Sequence, residues 1–250
     1  MLIGRSRAQV RHMLEDLAKE AAKVGLTLHM GKTKILSSRS ERRGCLAQQH
    51  VDVLGEKVEV FPGTEGTLYL GRMLDFSNFH DAEIDHRISR GWAAFGKFKH
   101  ELCCKHYPLK QRLKLFDATV SATVLYGSGA WTMTKDREQR LRTSMRRMMR
   151  KMLGCPRRLL DDGQMGETWV EWIVRATHRV EDVMRSLGIH GWVEGQQFRK
   201  QQLGKRIQRS TDSRWSKRLL QWQPDGGFRS VGRPCARWLD FWGKESSDIS

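Results

Sequence analysis

Between residues 81 and 153, apolar residues recur in three successive stripes at intervals of three and four. That periodicity constrains the fold more than any other feature of the chain. Ile84, Ile88, Phe95, Phe98 and Leu102 make the first stripe. Leu109, Leu113, Phe116, Val120 and Val124 make the second, opened by Pro108 near its first turn. Leu141, Met145, Met148, Met149, Met152 and Leu153 make the third, stopped by Gly154 and Pro156. Each stripe is too narrow to stand alone, so the spacing predicts three amphipathic helices in a small bundle.

The segment before this bundle reads as α+β. Val10, Met13, Leu14, Leu17, Ala21 and Val24 keep a helical spacing that Gly25 is placed to stop. Leu26 and Leu28 alternate with Thr27 and His29, which predicts a short strand. The loop Gly31-Lys32-Thr33-Lys34 follows. Val51, Val53, Val58 and Val60 flank Gly55-Glu56-Lys57 and predict a hairpin. Leu68-Tyr69-Leu70-Gly71 is expected as a further strand. The chain divides on these grounds into 1–79, 80–155 and 156–250.

Charge points to the partner. Among 250 residues, 45 Lys and Arg stand against 28 Asp and Glu, a formal net charge of +17. A surplus of that size favours a polyphosphate. The third stripe carries much of it: Arg137, Arg140, Arg142, Arg146, Arg147, Arg150, Lys151, Arg157 and Arg158 lie between 136 and 158 against Asp136 and Glu138. A solvated basic face is the plainer reading of such a run, and nucleic-acid contact is the sharper one. The methionines beneath read as core. After Pro156, Trp169, Trp172, Ile173, Ala176 and Val180 predict another helix. A second basic run from Arg199 to Arg218, including Arg206 and Arg209, leads into a turn-rich stretch at 222–229. Trp215, Trp222, Trp238 and Trp242 sit among arginines, where packing and base stacking are the alternatives.

Other classes are disfavoured. A hydrophobic fraction of 39% supports a core, against a fully disordered basic tail. No stretch has the apolar length to span a bilayer, and Met1–Val10 carries Arg5 and Arg7 where a signal peptide needs apolar residues. No membrane partner is expected. Cys45, Cys103, Cys104, Cys155 and Cys235 are odd in number and scattered, so they read as reduced thiols of an intracellular protein. His100, Cys103, Cys104 and His106 would spread around one helix, so no metal site is expected. Gly63–Gly66 and Gly127–Gly129 lack the spacing of a phosphate cradle. Asp161-Asp162 is an adjacent acidic pair, but it follows Pro156 in a loop without strand pattern and reads as linker. No self-sufficient catalytic site is visible.

Gly25-Leu26-Thr27-Leu28-His29-Met30-Gly31-Lys32-Thr33-Lys34 resembles the glycine–strand–Lys-Thr-Lys segment of non-LTR (LINE-type) retrotransposon reverse transcriptases. Tyr69-Leu70-Gly71 resembles the family's YLG strand. Ile84 to Phe98 resembles its first thumb helix, which carries E-I-x-x-R-I. Leu125-Tyr126-Gly127 to Trp131 resembles its LYG-x-x-x-W turn, and Arg137–Gly154 its arginine-rich thumb helix. Gly232-Arg233-Pro234-Cys235-Ala236-Arg237-Trp238-x-Asp240 matches the family's G-R-P-x-x-R-W-x-D box. The motifs follow the family's order over most of the chain.

The resemblance implies a residual palm at 1–79, a helical thumb at 80–155 and a basic carboxyl-terminal region at 156–250, in an α+β fold. In the family the metal-binding Asp-Asp pair precedes the helix that begins here near Ser6. Met1-Leu2-Ile3 looks like the second strand of that catalytic hairpin. The chain is therefore expected to be a carboxyl-terminal fragment, inactive alone, with no cofactor of its own and Mg²⁺ belonging to the intact enzyme. Upstream polymerase domains, RNA template and RNA–DNA or DNA duplex are the implied partners, and the nucleus the implied location. By motif position Lys32, with Lys34 second, would protonate the leaving pyrophosphate; a surface lysine is the alternative. The nucleic-acid contacts are expected from Arg137, Arg140, Arg146, Arg147, Arg150, Lys151, Arg206, Arg209, Arg233 and Arg237. A stand-alone nucleic-acid-binding protein that reuses the thumb is the second reading. An endonuclease using Asp225 with Lys244 is the third.

Overall fold

The computed structural model describes residues 1–37, 50–62, 66–76, 78–160, 164–211, 215–221 and 238. It is an α+β protein whose chain divides into two units, Met1–Glu83 and Ile84–Ser250.

The first unit opens with α1 (Arg7–Lys23), whose N-cap Ser6 accepts a hydrogen bond from the Gln9 N–H. A three-stranded sheet follows, built from β1 (Lys34–Ser37), β2 (His50–Val53) and β3 (Glu56–Pro62). β3 is central, parallel to β1 and antiparallel to β2. The hairpin expected around Gly55 is present. Its two turn residues, Leu54 (φ 53°) and Gly55 (φ 83°), take the left-handed conformation that suits the twist of a two-residue hairpin. Leu14, Met30, Ile35, Val53, Val58 and Val60 form the core, with Val10, Leu28 and Val51 packed on it.

Two strand expectations are corrected in this unit. Leu26 and Leu28 do not form a strand. Gly25 (φ 76°) turns left-handed, and the Leu26 N–H returns to the Ala21 carbonyl at 2.9 Å, which closes α1 as a Schellman motif. Leu26 is spent on that cap and lies exposed, so the sheet begins only at Lys34. Leu70-Gly71 is likewise a turn, with φ of 49° and 74°. It joins β4 (Thr67–Tyr69) to β5 (Arg72–Leu74) in a separate two-stranded sheet. Fully buried Glu83 accepts from the Met73 N–H at 2.6 Å and from Arg72 Nε at 3.3 Å, which ties this hairpin to the start of α2 (Phe79–Lys97).

The second unit is helical. After α2 come α3 (Lys99–Cys103) and α4 (Leu109–Phe116), a π-turn at Asp117–Ser121, and α5 (Ala122–Val124). The Ser128–Ala130 turn leads to α6 (Lys135–Leu153), capped by Thr134 and ended at Gly154 (φ 60°). Then follow α7 (Trp169–Ser186), α8 (Trp192–Arg209) and α9 (Trp215–Gln221). The three predicted amphipathic segments are present, with Leu102 set off on α3, and α7 and α8 complete their core. Phe116 packs edge-on to Phe95 and stacks on Trp192, whose indole N–H reaches Ser121 Oγ at 2.9 Å. Ala176 and Val180 of α7 lie in the same core. Gly91 permits the crossing of α2 and α5, because a Cβ there would overlap Val124 Cγ2.

Candidate nucleic-acid interface

α6 buries Leu141, Met145, Met148, Met149, Met152 and Leu153, so its basic residues are confined to the remaining arc. They fall into two rows set by the helical repeat. Arg140, Arg147 and Lys151 run along the side facing α2. Arg142, Arg146 and Arg150 run along the side facing α8 and α7.

The rows differ along their length. At the amino-terminal end Arg140 pairs closely with Asp85 and lies 3.9 Å from Asp136. Arg142 lies 3.8 Å from Glu138 and 4.0 Å from Glu194. Arg146 binds Glu181 at 2.5 Å. Arg137 donates to the Thr132 carbonyl at 2.8 Å. Three of these acids arrive from other helices, which no local charge count reveals. Toward the carboxyl-terminal end, no carboxylate among the described residues pairs with Arg147, Arg150 or Lys151. Arg147 and Lys151 are exposed and extend over Trp92, 5.9 and 5.8 Å from its ring centre. Arg150 is half-buried and donates to Thr177 Oγ1 at 2.9 Å. Burial, then the charges of Arg147 and Arg146, lower its pKa. The positive field is thus concentrated in the last turns of α6.

A groove of about 610 Å³ opens beside those turns. Lys105, Arg147, Arg150 and Lys151 line it together with Trp169, Trp172 and Ile173 of α7. The Lys105 side chain lies over Gly154. Trp172 is held in place by its indole N–H, which donates to the Cys155 carbonyl at 2.9 Å. Trp169 is 59% exposed. Sequence reasoning did not single out Lys105 or Trp92, and read Trp169 and Trp172 only as helix formers. Arg112 was also missed. It is buried and holds the carbonyls of Leu102, Tyr107 and Met152, with distances of 2.9–3.1 Å.

The remaining candidates lie elsewhere. Arg206 and Arg209 are exposed on the last turn of α8. Lys32 is exposed in the 3₁₀ turn Met30–Lys32 of the first unit, and Lys34 opens β1 with its ammonium 4.6 Å from the Phe61 ring centre. Arg233, Arg237, Cys45, Cys235, Asp161-Asp162, Asp225 and Lys244 lie outside the described residues, as does the G-R-P box apart from Trp238. Among the described residues no three His, Cys, Asp or Glu side chains converge to hold a metal ion. The described donors do not fit the two-Mg²⁺ centre that the reverse-transcriptase resemblance implies. No described helix is long and apolar enough to cross a membrane.

The family-like motifs of the second unit meet one another. Arg87 of E-I-x-x-R-I lies 4.5 Å over the ring of Tyr126 in the LYG turn. Gly127 of that turn is left-handed, and Trp131 closes it fully buried. Trp238 of the carboxyl-terminal box donates to the Gly129 carbonyl at 2.8 Å. Over 247 residues, 98% of this chain and 81% of its relative, the sequence is 28% identical to an uncharacterised transposon-derived protein of Caenorhabditis elegans. The chain has a transposon-derived relative. No protein-family profile matches it, and no solved structure does. A transposon-derived origin is what the similarity supports.

Proposed function

We propose that this chain is the thumb-bearing part of a retrotransposon RNA-directed DNA polymerase and that it grips template–primer duplex through the last turns of α6. The observation that carries the reading is the exposed pair Arg147 and Lys151, with no acid partner among the described residues, at the end of a helix whose Arg140, Arg142 and Arg146 are paired with carboxylates of the protein. Such cations suit phosphate oxygens, and contacts to phosphate carry no base information. The transposon-derived relative and the ordered run of reverse-transcriptase-like motifs support the same reading. Upstream polymerase domains, the RNA template and a nuclear setting belong to this proposal.

The test is fluorescence anisotropy with RNA–DNA hybrid duplexes of unrelated sequence across a salt series. Affinity should fall steeply with salt and agree between sequences. Arg147→Gln with Lys151→Gln should weaken every duplex alike. It should also flatten the salt slope, by roughly 0.9 per lost contact on B-DNA; a hybrid keeps the direction. An unchanged slope in the double variant overturns the reading.

A further inference from the structure

We infer that the groove between the carboxyl-terminal turns of α6 and the start of α7 takes single-stranded nucleic acid, with an unpaired base stacked on Trp169 and its phosphate held by Lys105, Arg147 and Lys151. The inference rests on the nucleic-acid reading above and assigns the indoles beside those cations to an unpaired strand.

The indoles that line this groove beside the cations distinguish it from a plain phosphate grip. A duplex keeps its bases inside the stack, so it offers nothing to an exposed indole. An unpaired base presents a π-face, and stacking on an aromatic side chain is the common way that single strands are held. Trp169 lines the groove as a residue 59% exposed, while Trp172 beside it is fixed by the bond to the Cys155 carbonyl. The volume of about 610 Å³ is in the range that holds a small organic ligand, and one nucleotide is of that size.

The cations complete the complementarity. Lys105 and Lys151 are exposed on the groove edge, and Arg147 stands between the groove and Trp92. Burial and then the charges of Arg147 and Arg146 lower the pKa of half-buried Arg150, and a phosphate seated beside Arg147 offsets part of that repulsion. Aromatic rings beside cations that have no carboxylate partner among the described residues match a strand of alternating base and phosphate. Stacking reads no sequence, so the groove should accept any base.

The experiment uses the full chain and fluorescently labelled oligo(dT) and oligo(U) of about ten nucleotides, a length within the range one such platform covers. A blunt RNA–DNA hybrid with the same label is the comparison. Trp169→Ala should weaken single-strand binding about tenfold and leave the blunt hybrid unchanged. Trp169→Phe, which keeps a ring, should fall between parent and Ala. Lys105→Gln provides a second arm should Trp169→Ala fail to fold, and it should weaken the single strand and flatten its salt dependence. The proposal is overturned if the parent binds no single strand. It is also overturned if the Trp169 and Lys105 variants bind it as the parent does, or if single strand and duplex weaken equally. Trp169-dependent single-strand binding without any duplex binding would sustain this groove and remove the duplex reading instead.

Discussion

The indole N–H of Trp238 donates to the carbonyl of Gly129 at 2.8 Å, joining positions 109 residues apart. The same ring lies 5.3 Å from the ammonium of Lys200, a buried lysine of α8. Trp238 thus sits against the LYG turn and covers a buried charge. Trp238→Phe keeps the ring and loses one hydrogen bond, about 1 kcal/mol. Trp238→Ala also uncovers Lys200 and should cost about 2 kcal/mol. Thermal unfolding checks both, with the Ala variant melting several degrees below the parent.

Arg112 reaches three carbonyls at once: Tyr107 through Nε, and Leu102 and Met152 through Nη1. Two of these are helix-terminal carbonyls of α3 and α6, which have no intrahelical donor. Arg112→Leu strands them inside the protein and should cost about 3 kcal/mol. Arg112→Lys should rescue little, because one ammonium cannot reproduce the planar fork. Chemical denaturation measures the difference.

Glu167 is the acid-sensitive point. The Arg175 guanidinium, bonded to it at 2.5 and 3.0 Å, is the main cause that holds its carboxyl down to about 2 from the ordinary 4.5, and the Arg158 N–H adds to the effect. A depressed carboxylate stabilises the fold above its unfolded pKa, and that contribution disappears as pH falls from about 4.5 toward 2. Unfolding midpoints from pH 5 to 2 should fall more steeply for the parent than for Glu167→Gln. Parallel curves would show that the pair does not couple to folding.

Arg146 and Arg147 are neighbours in sequence with opposite expected phenotypes. Arg146 is paired with Glu181, so Arg146→Gln should lower stability by up to about 1 kcal/mol and leave duplex affinity nearly intact. Arg147 is exposed over Trp92, so Arg147→Gln should weaken duplex binding while the melt barely moves. Melting and anisotropy on the two variants separate the roles, and swapped results would relocate the interface to the α7 side of α6.

Local rules made much of the fold legible in the sequence. The 3.6-residue repeat of Leu141 to Leu153 defined α6, Gly154 stopped it, and Gly55 marked a hairpin, because each signal acts within about four residues of its cause. The net charge of +17 is likewise a property of the sequence alone. Leu26 and Leu70 misled for the same local reason: alternation marked strands, yet the adjacent left-handed residues used both in a cap and a turn. Tertiary structure alone decided which arginines of α6 remain available. Asp85, Glu181 and Glu194 reach them across distances in sequence that no helical repeat encodes, and neutralise one end of the helix while leaving the other charged. It also decided that Lys105 and Trp169 line one groove, since only the packing of both α3 and α7 against α6 brings the loop lysine and the indole to the same place.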